Sequence, residues 1–229
     1  RNMNRSGLKC FNLKEDDDLV GACLINADQD VVLATELGLS IRIPSADIRS
    51  TQRAAGGVKG ITLTGRDQVV AMDVVDDDGF LLIVGKKGRG KLTAMRHYKT
   101  QRRGGKGLIT LKVTTGKKGT GKVADAVVVS ADMTEKLTTG KDDEGNVLLV
   151  TEKAQILRTS GEEIRKTGRN AQGVKIAVTA PGDNVTSIRI IEPRRQQGLE
   201  IDPSNIVESS PDENGSSDED GSFDEDGSS

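Results

Sequence analysis

A repeat with a period of about fifty residues constrains this chain more than any other feature. Gly7-Leu8-Lys9, Gly57-Val58-Lys59 and Gly107-Leu108-Ile109 recur 50 residues apart, and Gly173-Val174-Lys175 follows after 66. The longer last interval is accounted for by polar insertions at 115–122 and 138–145. Within each unit, short β-branched runs alternate with Gly, Asp and Asn turns, which is the signature of antiparallel strands. The first run is exemplified by residues 58–63. The second comprises 19–25, 69–75, 123–129 and 185–191. The third comprises 31–35, 80–84 and 147–151, and the fourth 40–43, 91–94 and 155–158. Four short strands per unit predict an all-β, propeller-like fold of four-stranded antiparallel blades, about three full blades and a partial one. Only residues 45–48 and 160–164 hint at a helical turn.

Composition supports a core of aliphatic strands. Aromatics are 2% of the 229 residues, with no Trp, so Val, Ile and Leu must fill the interior. No apolar run approaches the roughly 18 residues that cross a membrane. The opening residues do not read as a signal peptide, so no membrane partner and a cytoplasmic, nucleoid-associated location are expected. Cys10 and Cys23 have neither metal-like nor framework spacing and are expected to be buried, reduced thiols. The net charge of −2 conceals segregation: nine of the 35 acids lie in residues 208–229, which hold no Lys or Arg. The rest carries 33 bases against 26 acids. A basic body with an acidic tail points to a polyanionic partner and a tail that competes with it. The expected organisation is a strand-repeat domain over 1–193, a linker over 194–207 and a disordered tail over 208–229.

Each unit closes on a loop rich in cations and glycine. The most basic is Gln101-Arg102-Arg103-Gly104-Gly105-Lys106-Gly107. Its glycines reach φ > 0 without a Cβ penalty and allow close approach of backbone N–H groups to a ligand. Its arginines offer planar forks matched to phosphate oxygens. Thr51-Gln52-Arg53, Thr100-Gln101-Arg102 and Thr167-Gly168-Arg169 open comparable loops. Binding a duplex backbone requires such cations along a path and no reader of base edges. Candidate contacts are therefore Arg53, Lys59, Arg102, Arg103, Lys106, Arg169 and Lys175 on the loops. The glycine-interleaved hairpin adds Lys86, Lys87, Arg89 and Lys91, and the insertion adds Lys117, Lys118 and Lys122. For any one lysine, surface charge that serves solubility is the competing reading. The scarcity of aromatics argues against single-strand binding, which uses stacking platforms.

These loops carry a resemblance. The 101–107 heptad and Gly168-Arg169-Asn170-Ala171-Gln172-Gly173-Val174 resemble the C-terminal domain family of the DNA gyrase A protein, from the bacterial type IIA topoisomerases. The resemblance covers residues 1 to about 193 and implies a β-pinwheel that wraps duplex DNA on a basic outer rim. The heptad matches the family's box letter for letter, but here it stands in the next-to-last visible repeat instead of the first blade. The resemblance implies an upstream gyrase A core and an ATPase gyrase B protein in an A2B2 assembly. It also implies that ATP and Mg2+ act elsewhere in the holoenzyme, with no cofactor in this chain. A topoisomerase IV-type domain and a protein-interaction scaffold are the alternatives.

Signals for catalysis within the chain are poor. His97 is the only histidine, so no His-based triad or multi-His metal site forms within the chain, and it reads as part of a turn. Tyr98, the only tyrosine, sits at a repeat position and is assigned to packing or phosphate contact. In the family the DNA-cleaving tyrosine belongs to an upstream domain. Asp16-Asp17-Asp18 and Asp76-Asp77-Asp78 resemble carboxylate clusters for metal but read better as solvated turns. Residues 85–91 lack the spacing and final Lys-Ser/Thr pair of a P-loop.

Overall fold

The computed structural model describes residues 12–51, 55–139 and 145–191. Eleven strands form three antiparallel sheets among these residues. The first sheet has the order β3-β1-β2-β6, from Val69–Val74, Asp30–Thr35, Leu39–Pro44 and Leu108–Ile109. The second has the order β10-β5-β4-β7, from Val174–Lys175, Arg89–Ala94, Phe80–Gly85 and Val123–Val129. The third, β11-β8-β9, joins Val185–Ile191, Asn146–Thr151 and Ile156–Ser160.

No sheet is built from one repeat. Each takes its central hairpin from one unit, its inner strand from the next and, where a fourth strand exists, its outer strand from the unit after that. Thus β1 pairs with β3 through Leu33↔Met72, while β2 receives β6 through Ser40↔Leu108. The second sheet repeats this with Leu82↔Val127 and Gly90↔Val174. This interlock explains two departures from the sequence reading. Residues 58–63 make only a bridge at Ile61, and residues 19–25 form no strand and lie exposed. By the same rule each segment would need a ladder from outside its own unit, and no described strand offers one. A strand without a ladder has nothing to bond its backbone.

The sheets stack with alternate side chains facing opposite ways. Leu81 and Ile83 of β4 join a core with Val32, Ala34, Met95 and Tyr98. Leu82 and Val84 point the other way, among Leu92, Val147, Leu149 and Ile188. Covered on both faces, β4 is a continuous apolar run, as a doubly buried strand requires. A third cluster of Val31, Ile41, Ile43 and Ile61 covers the far face of the first sheet.

One α-helix, Ala131–Thr139 (α1), departs from the all-strand expectation. It occupies the place where the preceding unit has only the turn at Asp76. Ser130 caps it, its Oγ accepting from the Met133 N–H at 3.2 Å, and Leu137 is its fully buried anchor. The helical turns expected near 45–48 and 160–164 are 3-10 turns at Ser45–Asp47 and Gly161–Glu163, and a third lies at Met95–His97.

Candidate nucleic-acid interface

The 100–107 loop is bolted down at both ends. The Gln101 N–H donates to the Arg42 carbonyl at 2.8 Å, continuing a bridge between Arg42 and Thr100. Arg42 itself is held by Asp30 and Asp77, and Thr100 Oγ1 donates to Asp30 at 3.1 Å. In the middle, the Gly104 N–H donates to the Gly60 carbonyl, and Gly105 accepts from the Thr62 N–H at 2.8 Å. At the exit, Gly107 has φ +75° and lies so close to the Ser40 carbonyl that a Cβ would meet it at 2.6 Å.

The glycines therefore serve the fold. Their amides are not a phosphate cradle, contrary to the sequence reading, because the Gly104 and Gly105 N–H groups already bond to main-chain carbonyls. Gln101 also turns inward, with its amide nitrogen buried. What the loop presents to solvent is Arg102, Arg103 and Lys106, exposed and with no ion pair or hydrogen bond from their side chains among the described residues. Lys59 is exposed on the segment that holds Gly104.

The 168–173 loop repeats this construction one unit later. The Thr167 N–H donates to the Leu92 carbonyl as Gln101 does to Arg42, and Ala171 accepts from the Lys112 N–H. Gly173 has φ +75° and sits over the Gly90 carbonyl, 2.2 Å from where its Cβ would be. These bonds align Thr167 with Gln101 and Arg169 with Arg103. The Thr-x-Arg reading of the loops is thus one residue out for this pair. Arg169 is half-buried and donates to the Ile109 carbonyl at 3.1 Å.

The hairpin and insertion lysines divide sharply. Lys117 and Lys118 are exposed on the insertion turn. Lys86 and Lys122 are instead drawn onto Glu36, at 2.9 and 2.6 Å, where the carboxylate is nearly buried. Burial alone would raise Glu36, but bonds and charge from Lys122 and Lys86 outweigh it and hold the acid below the usual glutamate range. Lys87 donates to the Gly116 carbonyl, Lys175 to that of Lys87, and Arg89 to that of Gly173, so these three brace turns.

Lys91 is a correction. It is not a surface cation: it is fully buried, its Nζ donating to the Gly168 and Arg169 carbonyls at 2.6 and 2.5 Å. In the β-ladder its place matches that of Ile41, which is why an alternating strand pattern turns it inward. Arg53, Cys10 and the 194–229 segment lie outside the described residues. Cys23 is exposed, contrary to expectation, because 19–25 lacks a strand partner.

The remaining groups behave as structure. His97 ends a 3-10 turn and is exposed. Tyr98 is buried, its hydroxyl 2.7 Å from Thr110 Oγ1, and burial pushes its phenol up despite that bond. Asp76 takes the Asp78 N–H, while Asp77 pairs with Arg42. Among the described residues no cluster of His, Cys, Asp or Glu is placed to hold a metal. Sequence reasoning passed over Arg96, Lys99, Lys112, Arg165 and Lys166, all exposed and flanking the two loops. Their signal was positional: they sit beside loop ends that the repeat had already marked.

The profile of the family described as DNA gyrase C-terminal domain, beta-propeller, matches residues 1–25, 29–76, 79–130 and 145–192. The chain is 39% identical over 188 residues to the DNA gyrase A protein of Dehalogenimonas lykanthroporepellens, covering 80% of this chain and 21% of that one. It is 40% identical over 193 residues to the DNA gyrase A protein of Deinococcus deserti, covering 81% and 22%. The chain thus spans about a fifth of the length of these relatives. A solved DNA gyrase A C-terminal domain superposes with a TM-score of 0.69 at 26% identity, over 82% of this chain and 59% of that one. A topoisomerase IV C-terminal domain shares the fold at 0.67 and 22%, over 80% and 53%.

Proposed function

The chain belongs to the DNA gyrase C-terminal domain family, and from that premise we propose that it binds and bends duplex DNA along its basic loops. The observation that carries this reading is the side-chain display of the 100–107 loop. Arg102, Arg103 and Lys106 stand exposed and unengaged on a loop whose backbone is fixed by Arg42, Gly60, Thr62 and Ser40. Rigid placement lowers the ordering cost of binding, and cations without internal partners are free to displace counterions from phosphates. Lys59, Lys117 and Lys118 add exposed charge, and Arg169, half-buried and bonded to the Ile109 carbonyl, keeps a cation at the place of Arg103 one unit on.

In the whole gyrase A protein this domain would hold a bent segment for an ATP-driven strand-passage core and so support negative supercoiling. The partners would be that core and an ATPase gyrase B protein in an A2B2 assembly, in the cytoplasm. ATP and Mg2+ would be used by those parts. The topoisomerase IV-type reading survives because the two solved domains match the fold almost equally.

A mobility-shift titration on linear duplex at several salt concentrations tests the proposal. Neutralising about five to eight phosphates gives a slope of log affinity against log salt of about −4 to −7. Reversing Arg102, Arg103 and Lys106 together to Glu should weaken binding uniformly over sequences. A slope near −1, or a triple variant that binds like wild type, refutes it. Topology assays on the whole enzyme separate supercoiling from relaxation alone.

A further inference from the structure

Lys91 occupies a place where the fold does not ask for a charge. Its counterpart in the first sheet is Ile41, whose Cδ1 packs against the 100–107 loop at Gly105. Lys91 lies in the same relation to the 168–173 loop, and a Cβ on Gly173 would stand 3.2 Å from its own Cβ. Its ammonium donates to the two carbonyls at Gly168 and Arg169. No carboxylate accepts from it among the described residues. A buried cation held by carbonyl dipoles alone is poorly compensated.

The charged groups that strand pairing and loop contact place beside it are cationic. From the loop comes Arg169, whose positive charge acts on Lys91 directly. From its own strand comes Arg89, opposite Lys175 of β10. Arg165 and Lys166 lie on the segment that pairs with Leu92. Burial holds the Tyr98 phenol above its usual range, although the Arg169 charge and the bonds to Thr110 and Thr93 pull it down.

We infer that Lys91 is a positioning residue whose protonated ammonium holds the 168–173 loop closed, so that seating a phosphate against this loop draws a proton from solution. The inference rests on the duplex-binding reading. Burial first, and the Arg169 charge second, bring the Lys91 ammonium down to about 8. A phosphate beside Arg169 offsets the charge that opposes Lys91 and stabilises its ammonium, which raises that value in the complex. In the free protein the proton is held below about 8, so affinity is flat there. Between the free and bound values only the free form has lost its proton, so affinity falls as pH rises.

The test is duplex affinity of the whole chain at fixed ionic strength from about pH 7 to pH 9.5. Each proton taken up costs at most tenfold in affinity per pH unit. Wild type should lose roughly tenfold across that range, while K91M and K91I stay flat. K91I carries the residue the fold uses at the matching place, so a stable variant is available. Calorimetry at about pH 8 in buffers of different ionisation enthalpy should show proton uptake on binding by wild type and none by K91M. A pH response unchanged in K91M overturns the inference, as does a response abolished in K175M and kept in K91M. Wild type that binds no duplex at about pH 7 instead overturns the binding reading and the inference with it.

Discussion

Replacing Glu36 by Gln probes the joint on which three repeats meet. Glu36 follows β1 in the first unit, Lys86 follows β4 in the second, and Lys122 precedes β7 in the third. The carboxylate accepts from both lysines, with 5% of its side chain exposed against 34% for Lys86 and 49% for Lys122. An amide of the same shape keeps the volume but offers a single oxygen and no charge. Hydrogen bonds to charged groups contribute about 1.5–3 kcal/mol each. The part-exposed lysines regain water when released, which discounts the pair. The net loss at neutral pH is about 2–3 kcal/mol. For a domain of this size that is a fall of about 4–12 °C in Tm. The sign with pH is fixed by the direction of the shift. Glu36 is held below the ordinary glutamate range, so its contribution is present above that range and is lost as pH falls through the lower folded value. Circular-dichroism melts of wild type and E36Q at neutral and acid pH check this. The two curves should part at neutral pH and converge in acid. Equal stability at neutral pH, or a gap that persists undiminished in acid, refutes the reasoning.

Two other outcomes follow from the same geometry. Gly173→Ala forces a Cβ into the Gly90 carbonyl at φ +75°, whereas at Gly57 an added Cβ meets nothing within 4 Å. Stability, read from melts, should therefore fall by several kcal/mol for the first and by only about 1–2 kcal/mol for the second, which has only its positive φ to strain. Removing residues 208–229 takes away nine acids and no bases, so duplex affinity at low salt should tighten and the difference should shrink at high salt; equal affinity at low salt removes the competition idea.

The strand repeat was legible because alternation and period survive in the letters. Leu81-Leu82-Ile83-Val84 reads as a buried strand, and β4 is buried on both faces. What the letters did not show is which unit supplies each strand. Pairing Ser40 with Leu108 is a fact of three dimensions, and local pattern cannot separate it from a hairpin within one repeat. That is why 19–25 and 58–63 read as strands although no described strand pairs with them. The α1 helix was legible and passed over: Ser130, Asp132, Met133 and Leu137 give a cap, an acid in the first turn and an i, i+4 apolar pair. Lys91 is hard to place from the letters because a Lys directly after Gly88-Arg89-Gly90 looks like surface, while its alternation in β5 points it inward.

The loops show most clearly where motif and chemistry part. A basic, glycine-rich heptad invites one explanation for all seven residues, yet the structure divides them. Gly107 and Gly173 are dictated by close backbone contact with Ser40 and Gly90, and would be required of this fold whatever it bound. Gln101, Gly104 and Gly105 bond inward. Only Arg102, Arg103 and Lys106 are left without a structural duty, and in the next loop only Arg169 keeps a cation at a matching place. A residue type that the fold does not need is where binding chemistry is free to act. By that criterion the equivalence of the two loops is an equivalence of scaffolds. The first presents three exposed cations, whereas the second presents one half-buried arginine over a buried lysine. On the inference drawn for Lys91, the second loop is the one whose response to an anion depends on what lies beneath it.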